Sequence, residues 1–149
     1  MDRGTISKAI SVAVFILAAA DLVYLILKGY ILSANAVGLV IQACSVGLMI
    51  WARITFGIRS FHARADTTEG KLVTNGPYRW LRHPIYASII YFTWAAVFSH
   101  FVPDAIAATL LISLSLYVRM ILEERFLRVV YKEYAAYCRR AKRVIPFIF

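Results

Sequence analysis

Carboxylates are scarce in this chain. Eight Asp and Glu stand against 17 Lys and Arg, a formal net charge of +9 over 149 residues. Cysteine is nearly absent: Cys44 lies in an apolar run and Cys138 in a basic tail, a pattern without disulfide, zinc or redox signature. No Gly-x-Gly-x-x-Gly stretch and no phosphate-binding Walker loop occurs. Metal-ligand spacing is missing, as is a serine or cysteine nucleophile with a partnered base. We find no internal repeat and no low-complexity segment. These absences set aside nucleotide-binding α/β folds, zinc modules and covalent hydrolases.

Apolar side chains are present in excess. They make up 61% of the chain and mean hydropathy is +0.69, against roughly 45–50% apolar residues in soluble domains. A water-soluble protein of this length could not hide so much apolar surface. Basic charge on such a chain points to anionic lipid at a cytoplasmic membrane face rather than to nucleic acid.

The hydropathy pattern predicts an all-α integral membrane protein forming a single membrane domain over residues 1–149. About four transmembrane helices are expected, at residues 9–27, 34–52, 85–102 and 105–122. The first run, at about 1.5 Å per residue, covers roughly 28 Å. It is longer than the apolar part of a signal peptide, and a second run follows at once, so it reads as a span even though Ala34-Asn35-Ala36 resembles a cleavage site. Gly38 and Gly47, with Ala36, Ala43 and Ser45, give the second span small surfaces for close helix packing or a dimer. Pro103-Asp104 marks a tight turn, so the last two spans form a hairpin.

Lys and Arg concentrate at the N-terminus (Arg3, Lys8), in the connection 53–83 (Arg53, Arg59, Arg64, Lys71, Arg79, Arg82) and in the tail from Arg125 to Arg143, while the other two connections hold only Lys28. Both termini, the long loop and the tail 123–149 are therefore expected on the cytoplasmic face. The tail is expected to remain an amphipathic cytoplasmic helix until a break near Pro146. Its basic stripe of Arg125, Arg128, Lys132 and Arg139 would lie on anionic headgroups.

The stretch Gly70–Tyr86 is the one long segment that is neither apolar nor a simple charged tail. It combines a Gly76-Pro77 turn, the aromatics Tyr78, Trp80 and Tyr86, and Arg82-His83-Pro84. A residue before proline avoids helical geometry, and proline suits the first helical position, so a loop should end at His83 and a helix begin at Pro84. The free N–H groups of that helix start would favour an anion.

Each of these residues also has a plainer reading. His83 alone could be a cap or a group reaching for the interface, and the aromatics alone an interfacial belt. Arg119 and Glu123 lie four residues apart on one helix face, continued by Leu127, Val130 and Tyr134. They are either functional ionisable groups at the membrane boundary or a self-satisfying ion pair that ends the span. Asp21 is either a buried polar contact or faces a polar cavity, and His62 and His100 read as interfacial.

Taken together, Lys71-Leu72-Val73-Thr74-Asn75-Gly76-Pro77-Tyr78, Arg82-His83-Pro84-Ile85-Tyr86, the pair Glu123-Glu124 with Leu127 and Tyr134, and the closing Arg143-Val144-Ile145-Pro146 run resemble the isoprenylcysteine carboxyl methyltransferase family, part of a wider group that includes membrane phospholipid methyltransferases. The resemblance covers about residues 70–148. It implies a membrane methyltransferase using S-adenosyl-L-methionine, with no Rossmann domain. By position it implies cofactor contacts at Gly70, Lys71, Leu72, Val73, Tyr78, His83, Pro84, Ile85, Tyr86 and Glu123, and a substrate-orienting role for Arg119. The implied partner is a lipophilic small molecule or lipid-modified substrate within membrane lipid, with no nucleic acid and no metal. Many family members have glycine where this chain has Ser88, which implies a less close helix contact there.

The acceptor is expected to be a carboxylate on a lipophilic molecule, because a carboxylate needs no general base and an arginine could orient it by two parallel hydrogen bonds. A phospholipid or other small lipophile is the alternative acceptor. Two further readings compete: a non-enzymatic basic membrane protein binding anionic lipid or a partner, and a sterol-type membrane reductase. The latter asks for a nicotinamide cofactor that no residue specifically requests.

Overall fold

The computed structural model describes residues 3–57 and 72–146. The described residues form five α-helices: α1 (Arg3–Leu27), α2 (Ala36–Phe56), α3 (Pro84–His100), α4 (Pro103–Val130) and α5 (Tyr134–Arg140), with a short 3-10 turn at Gly76–Arg79. Among the described residues there is no strand, only one isolated parallel bridge between Leu81 and Lys142. The all-helical expectation holds. Three helices are long and apolar enough to cross a membrane, Thr5–Leu27, Ala36–Phe56 and Pro103–Val130. The expected third span is the shortest: α3 has 17 residues, about 25 Å at the α-helical rise.

The long helices pair antiparallel. α1 lies along α4, α2 along α3, and α3 joins the two pairs through α4. Leu25 of α1 packs with Val97 of α3 and with Ala105, Ala108, Ile112 and Leu116 of α4 in the largest buried cluster. Alanines on α4 let the helices approach, and Leu and Ile fill the space between them. Much of α1 and α2 stays apolar and outward-facing, with Val37, Val40, Ile16 and Ile54 exposed. That is the surface a lipid solvent requires.

Connections at one end of the bundle are tight and polar. Gln42, buried on α2, donates to the carbonyls of Ile31 (2.8 Å) and Phe92 (3.2 Å) and accepts from the Ser33 N–H (2.9 Å). Asn35 caps α2 by accepting from the Gly38 N–H at 2.8 Å. A Cβ at Gly38 would run into Ser33 Oγ and come within 3.0 Å of the Ala95 carbonyl, so the expected close approach of the second span occurs there. A Cβ at Gly47 would meet open space. Phe101 turns α3 into α4 in the left-handed region, at φ 52°, and Pro103 then supplies the first helical position of α4. His100 meets the Leu32 carbonyl (2.7 Å) and the Tyr30 ring, in keeping with its interfacial reading. Asp21 is half-buried on α1, and its buried Oδ2 has no hydrogen-bond partner among the described residues.

At the opposite end lie Gly76–His83 and the tail. Residues 53–56, expected in the polar connection, continue α2. The tail departs most from expectation. It does not run as one helix to Pro146: α4 stops at Val130, α5 is a separate helix of seven residues, and from Ala141 the chain is no longer helical, with Ala141 itself extended and Lys142 bridged to Leu81. Tyr134 therefore leaves the stripe of Arg119 and Glu123 and turns inward, with Tyr137, to a buried cluster with Ala141. The physical reason is pairing. The Lys142 N–H donates to the Trp80 carbonyl (2.9 Å), and the Arg82 and His83 N–H groups donate to the carbonyls of Lys142 (2.6 Å) and Arg143 (3.1 Å). A helical tail would leave those loop groups without partners. Arg125, Arg128, Lys132 and Arg139 remain exposed, as expected of the basic stripe.

Gln42→Leu should strand the Ser33 N–H and the Ile31 carbonyl and lower stability by about 1–3 kcal/mol. Denaturant unfolding in detergent, read by loss of helicity, checks this; an unchanged midpoint contradicts the bridging role.

Candidate active site

The local sequence forces the site's starting point. Proline at position 84 excludes helix before it and starts α3 at once, with His83 as the flanking residue. Tyr86 then sits in the first turn of α3. Facing it is the C-terminal part of α4, where Arg119 and Glu124 are buried and Glu123 is partly buried. Ala87 and Met120, both buried, fill the contact between the two helices.

Arg119, Tyr86 and Glu123 form a triangle. Arg119 Nε donates to Tyr86 Oη (2.6 Å) and to Glu123 Oε1 (3.0 Å), and Tyr86 Oη donates to the same carboxylate oxygen (2.5 Å). The Arg119 guanidinium also lies over the Phe15 ring, 4.8 Å from its centroid, which ties α1 to the site. Arg119 is buried, whereas the Glu123 side chain keeps 21% exposure. The other carboxylate oxygen, Oε2, faces His83 Nδ1 at 3.7 Å, beyond hydrogen-bond range. The His83 and Tyr86 rings stack with planes 10° apart.

Glu124 points about 100° further around α4 and has a different setting. It is buried, and two guanidinium groups and an imidazole converge on it. Arg143 grips it with two bonds, Nε to Oε1 and Nη2 to Oε2, both 3.1 Å. Arg82 Nη1 lies 3.0 Å and His83 Nε2 3.3 Å from Oε1. Fork-to-carboxylate geometry is the strong form of such a contact. The bond to Glu124 raises the Arg143 pKa further. Arg82 Nη1 also reaches Cys138 Sγ at 3.1 Å. Glu124 thus fastens the loop, through Arg82 and His83, to the tail, through Arg143.

Aromatic side chains close the site from the tail. Tyr137 donates to the Tyr78 carbonyl at 2.7 Å, and Tyr91 donates to the Val144 carbonyl. Burial raises the phenol pKa of Tyr78, with the Glu123 charge adding to it, and burial likewise raises those of Tyr134 and Tyr137. All three are neutral at physiological pH, and Tyr137 acts as a donor.

Of the expected site residues, His83, Pro84, Ile85, Tyr86, Arg119 and Glu123 come together. Leu72 packs under α5 against Tyr134 and Tyr137, and Val73 is half-buried beside it. Tyr78 is buried, its ring tilted against Phe56 of α2 at 5.5 Å. Gly70, Lys71 and His62 lie outside the described residues. Trp80 turns toward Trp51 of α2. Ser88 is buried, and its hydroxyl donates to the Ile85 carbonyl at 2.7 Å. The polar group at the usual glycine position is thus satisfied by its own helix. Sequence reasoning missed Glu124, Arg82, Arg143 and Tyr137 as parts of the site. The signal was available in the two adjacent glutamates, which cannot share one helix face.

Such a chain is an all-helical integral membrane protein with a mixed-charge site where its helices end. A family model described as phospholipid methyltransferase matches residues 33–134, well over half of the chain. The chain belongs to this family of membrane methyltransferases, as the Arg82–Tyr86 motif and the paired glutamates led us to expect. The match takes in Arg82, His83, Tyr86, Arg119, Glu123 and Glu124 and stops before Arg143. No curated protein and no solved structure matches the chain.

Glu124→Gln removes the counter-charge from Arg82 and Arg143. Breaking a buried pair costs roughly 3–5 kcal/mol. We expect a clear drop in melting temperature in detergent and faster tryptic cleavage after Arg139 and Arg140, while Arg125→Gln on the exposed face changes neither. Wild-type behaviour of Glu124→Gln would refute the clamp.

Proposed function

We propose that the protein is an S-adenosyl-L-methionine-dependent methyltransferase acting on a lipophilic acceptor at the cytoplasmic membrane face. The observation that carries this is the partly exposed Glu123, fixed by Tyr86 and Arg119 through one oxygen only and set beside the first turn of α3. The residues fit the cofactor. A carboxylate oxygen that faces only His83 Nδ1, beyond hydrogen-bond range, suits an ammonium group, and the N–H groups of a helix start suit a carboxylate. His83 and Tyr86 present stacked rings to the same space, where an aromatic face attracts a cation. Tyr78, Pro84 and Ile85, with Leu72, Val73, Lys71 and Gly70 on the loop side, complete the proposed binding set.

When bound, this cofactor supplies an activated methyl group on a sulfonium leaving group. The protein's work is therefore alignment and exclusion of water. Arg119 holds Glu123 and Tyr86 in place through its Nε, and the packed tail covers the site. The cytoplasmic placement rests on the clustering of Lys and Arg in the loop and tail.

For the acceptor, a lipophilic carboxylate needs no general base and would be oriented by the Arg119 guanidinium. A phospholipid headgroup is favoured by the family description and by the Glu123 carboxylate that Arg119 already engages. Product chemistry separates them: a base-labile methyl marks an ester, a base-stable one an amine.

Calorimetry of S-adenosyl-L-methionine with the detergent-purified protein tests the cofactor. Glu123→Gln should weaken binding by roughly tenfold or more, the loss of one charge-assisted bond. Tyr86→Phe should weaken it less, since the ring stays. Affinity unchanged in both variants would refute the assignment.

A further inference from the structure

A groove of about 320 Å³ opens at the loop end of the bundle, apart from the site. It is lined by Leu48 and Trp51 of α2, Pro77, Trp80 and Leu81 of the loop, Tyr91 of α3 and Pro146 of the tail. None of these belongs to the Tyr86–Arg119–Glu123 triangle. The lining is apolar, yet two large rings at it are half in the open. Trp51 is 46% and Trp80 43% exposed, and the rings meet edge-on, 6.0 Å between centroids. Trp51 stands five residues before the end of α2, about 8 Å along the axis. That is the interfacial depth where tryptophan is favoured. The Arg79 guanidinium lies over the Trp80 ring at 5.9 Å, and Arg79 is exposed.

We infer that this groove is a lipid site: it takes an acyl chain of an anionic phospholipid, whose phosphate is held at Arg79. Charge complementarity selects the occupant. A guanidinium resting on an aromatic face keeps its edge free for two parallel bonds to a phosphate. Among the described residues, the hydrocarbon chain below it meets Leu, Trp, Pro and Tyr surfaces. Two of the lining residues also hold the tail: the Trp80 carbonyl accepts from Lys142, and Tyr91 donates to the Val144 carbonyl. An acyl chain spanning Leu48, Trp80 and Pro146 therefore bridges α2, the loop and the tail and favours the closed site. This lipid is not the methyl acceptor, and its binding does not depend on the methyltransferase reading.

The chain has three tryptophans. In a Trp94→Phe background only Trp51 and Trp80 report. The protein is reconstituted with increasing fractions of phosphatidylglycerol brominated in its acyl chain, or with brominated phosphatidylcholine as control. We expect saturable quenching by phosphatidylglycerol at a low mole fraction, and only gradual quenching by phosphatidylcholine. Arg79→Gln, an exposed position, should reduce the preference roughly tenfold, and Leu48→Phe, which fills the groove, should lower the saturable component. Should Leu48→Phe lose helicity, Arg79→Gln alone decides. Equal, non-saturating quenching by both lipids in the unsubstituted background overturns the proposal. So do unquenched tryptophans accompanied by cross-linked dimers, which would put a second copy in the groove.

Discussion

The buried carboxylate of Glu124 is the contact on which the rest of the site depends. A lone carboxylate at that depth would be strongly disfavoured by desolvation. It is stable only because Arg82, His83 and Arg143 converge on it. Equally, the two arginines would be poorly tolerated without it. The mutual dependence joins three stretches that are far apart in sequence: the loop before α3, the end of α4 and the tail. Backbone pairing between Trp80–His83 and Lys142–Arg143 follows the same line and fixes the register. A salt bridge of this kind is weak evidence for net stability but can specify one arrangement among several, and here it specifies which face of His83 meets Glu123.

One turn of α4 therefore divides two duties. Residues adjacent in sequence on a helix point about 100° apart. Glu124 is spent on holding the loop and tail together. Glu123 keeps part of its surface open and is steadied by Tyr86 and Arg119 without being enclosed. Arg119 lies one turn earlier, so its Nε reaches Glu123 along the same face, while Tyr86 comes from the neighbouring helix. The cation over Phe15 extends the connection to α1. Nothing in this arrangement needs a strand or a separate nucleotide-binding domain. The ends of membrane helices, with their unpaired N–H groups, provide the polar surface.

Much of this was legible in the sequence. Long apolar runs gave the helices, because a lipid solvent demands continuous apolar length and internal hydrogen bonding. Pro84 marked a helix start, since proline suits the first helical position; Pro103, read as part of a tight turn, opens α4 instead. Arg119 and Glu123 could be placed on one face from spacing alone. The tail could not be read in this way. Its residues 123–146 have helical composition, and only the backbone groups of the loop explain why residues 141–144 leave the helix instead. That information lies about sixty residues away, outside any local window. Likewise, the inward turn of Tyr134 and Tyr137 depends on Leu72 and on the Tyr78 carbonyl, which no periodicity encodes. Glu124 was hidden by its neighbour: the pair was visible, but which member faces the core is a matter of tertiary packing.

The pairing of the loop with the tail also sets an order of events during synthesis. Helices α1 to α4 can leave the ribosome and assemble in the bilayer using contacts among themselves, with Gln42 and the Leu25 cluster closing the far end early. Arg82 and His83 have by then been made, but their partners in Lys142 and Arg143 have not. For that interval the loop's N–H groups and the Glu124 carboxylate can be satisfied only in part, by water at the membrane surface. The candidate site is thus the last region to acquire its shape. Contacts of such long sequence separation form late and slowly, so a nascent chain stalled before Arg143 would be inserted in the membrane yet lack a finished pocket.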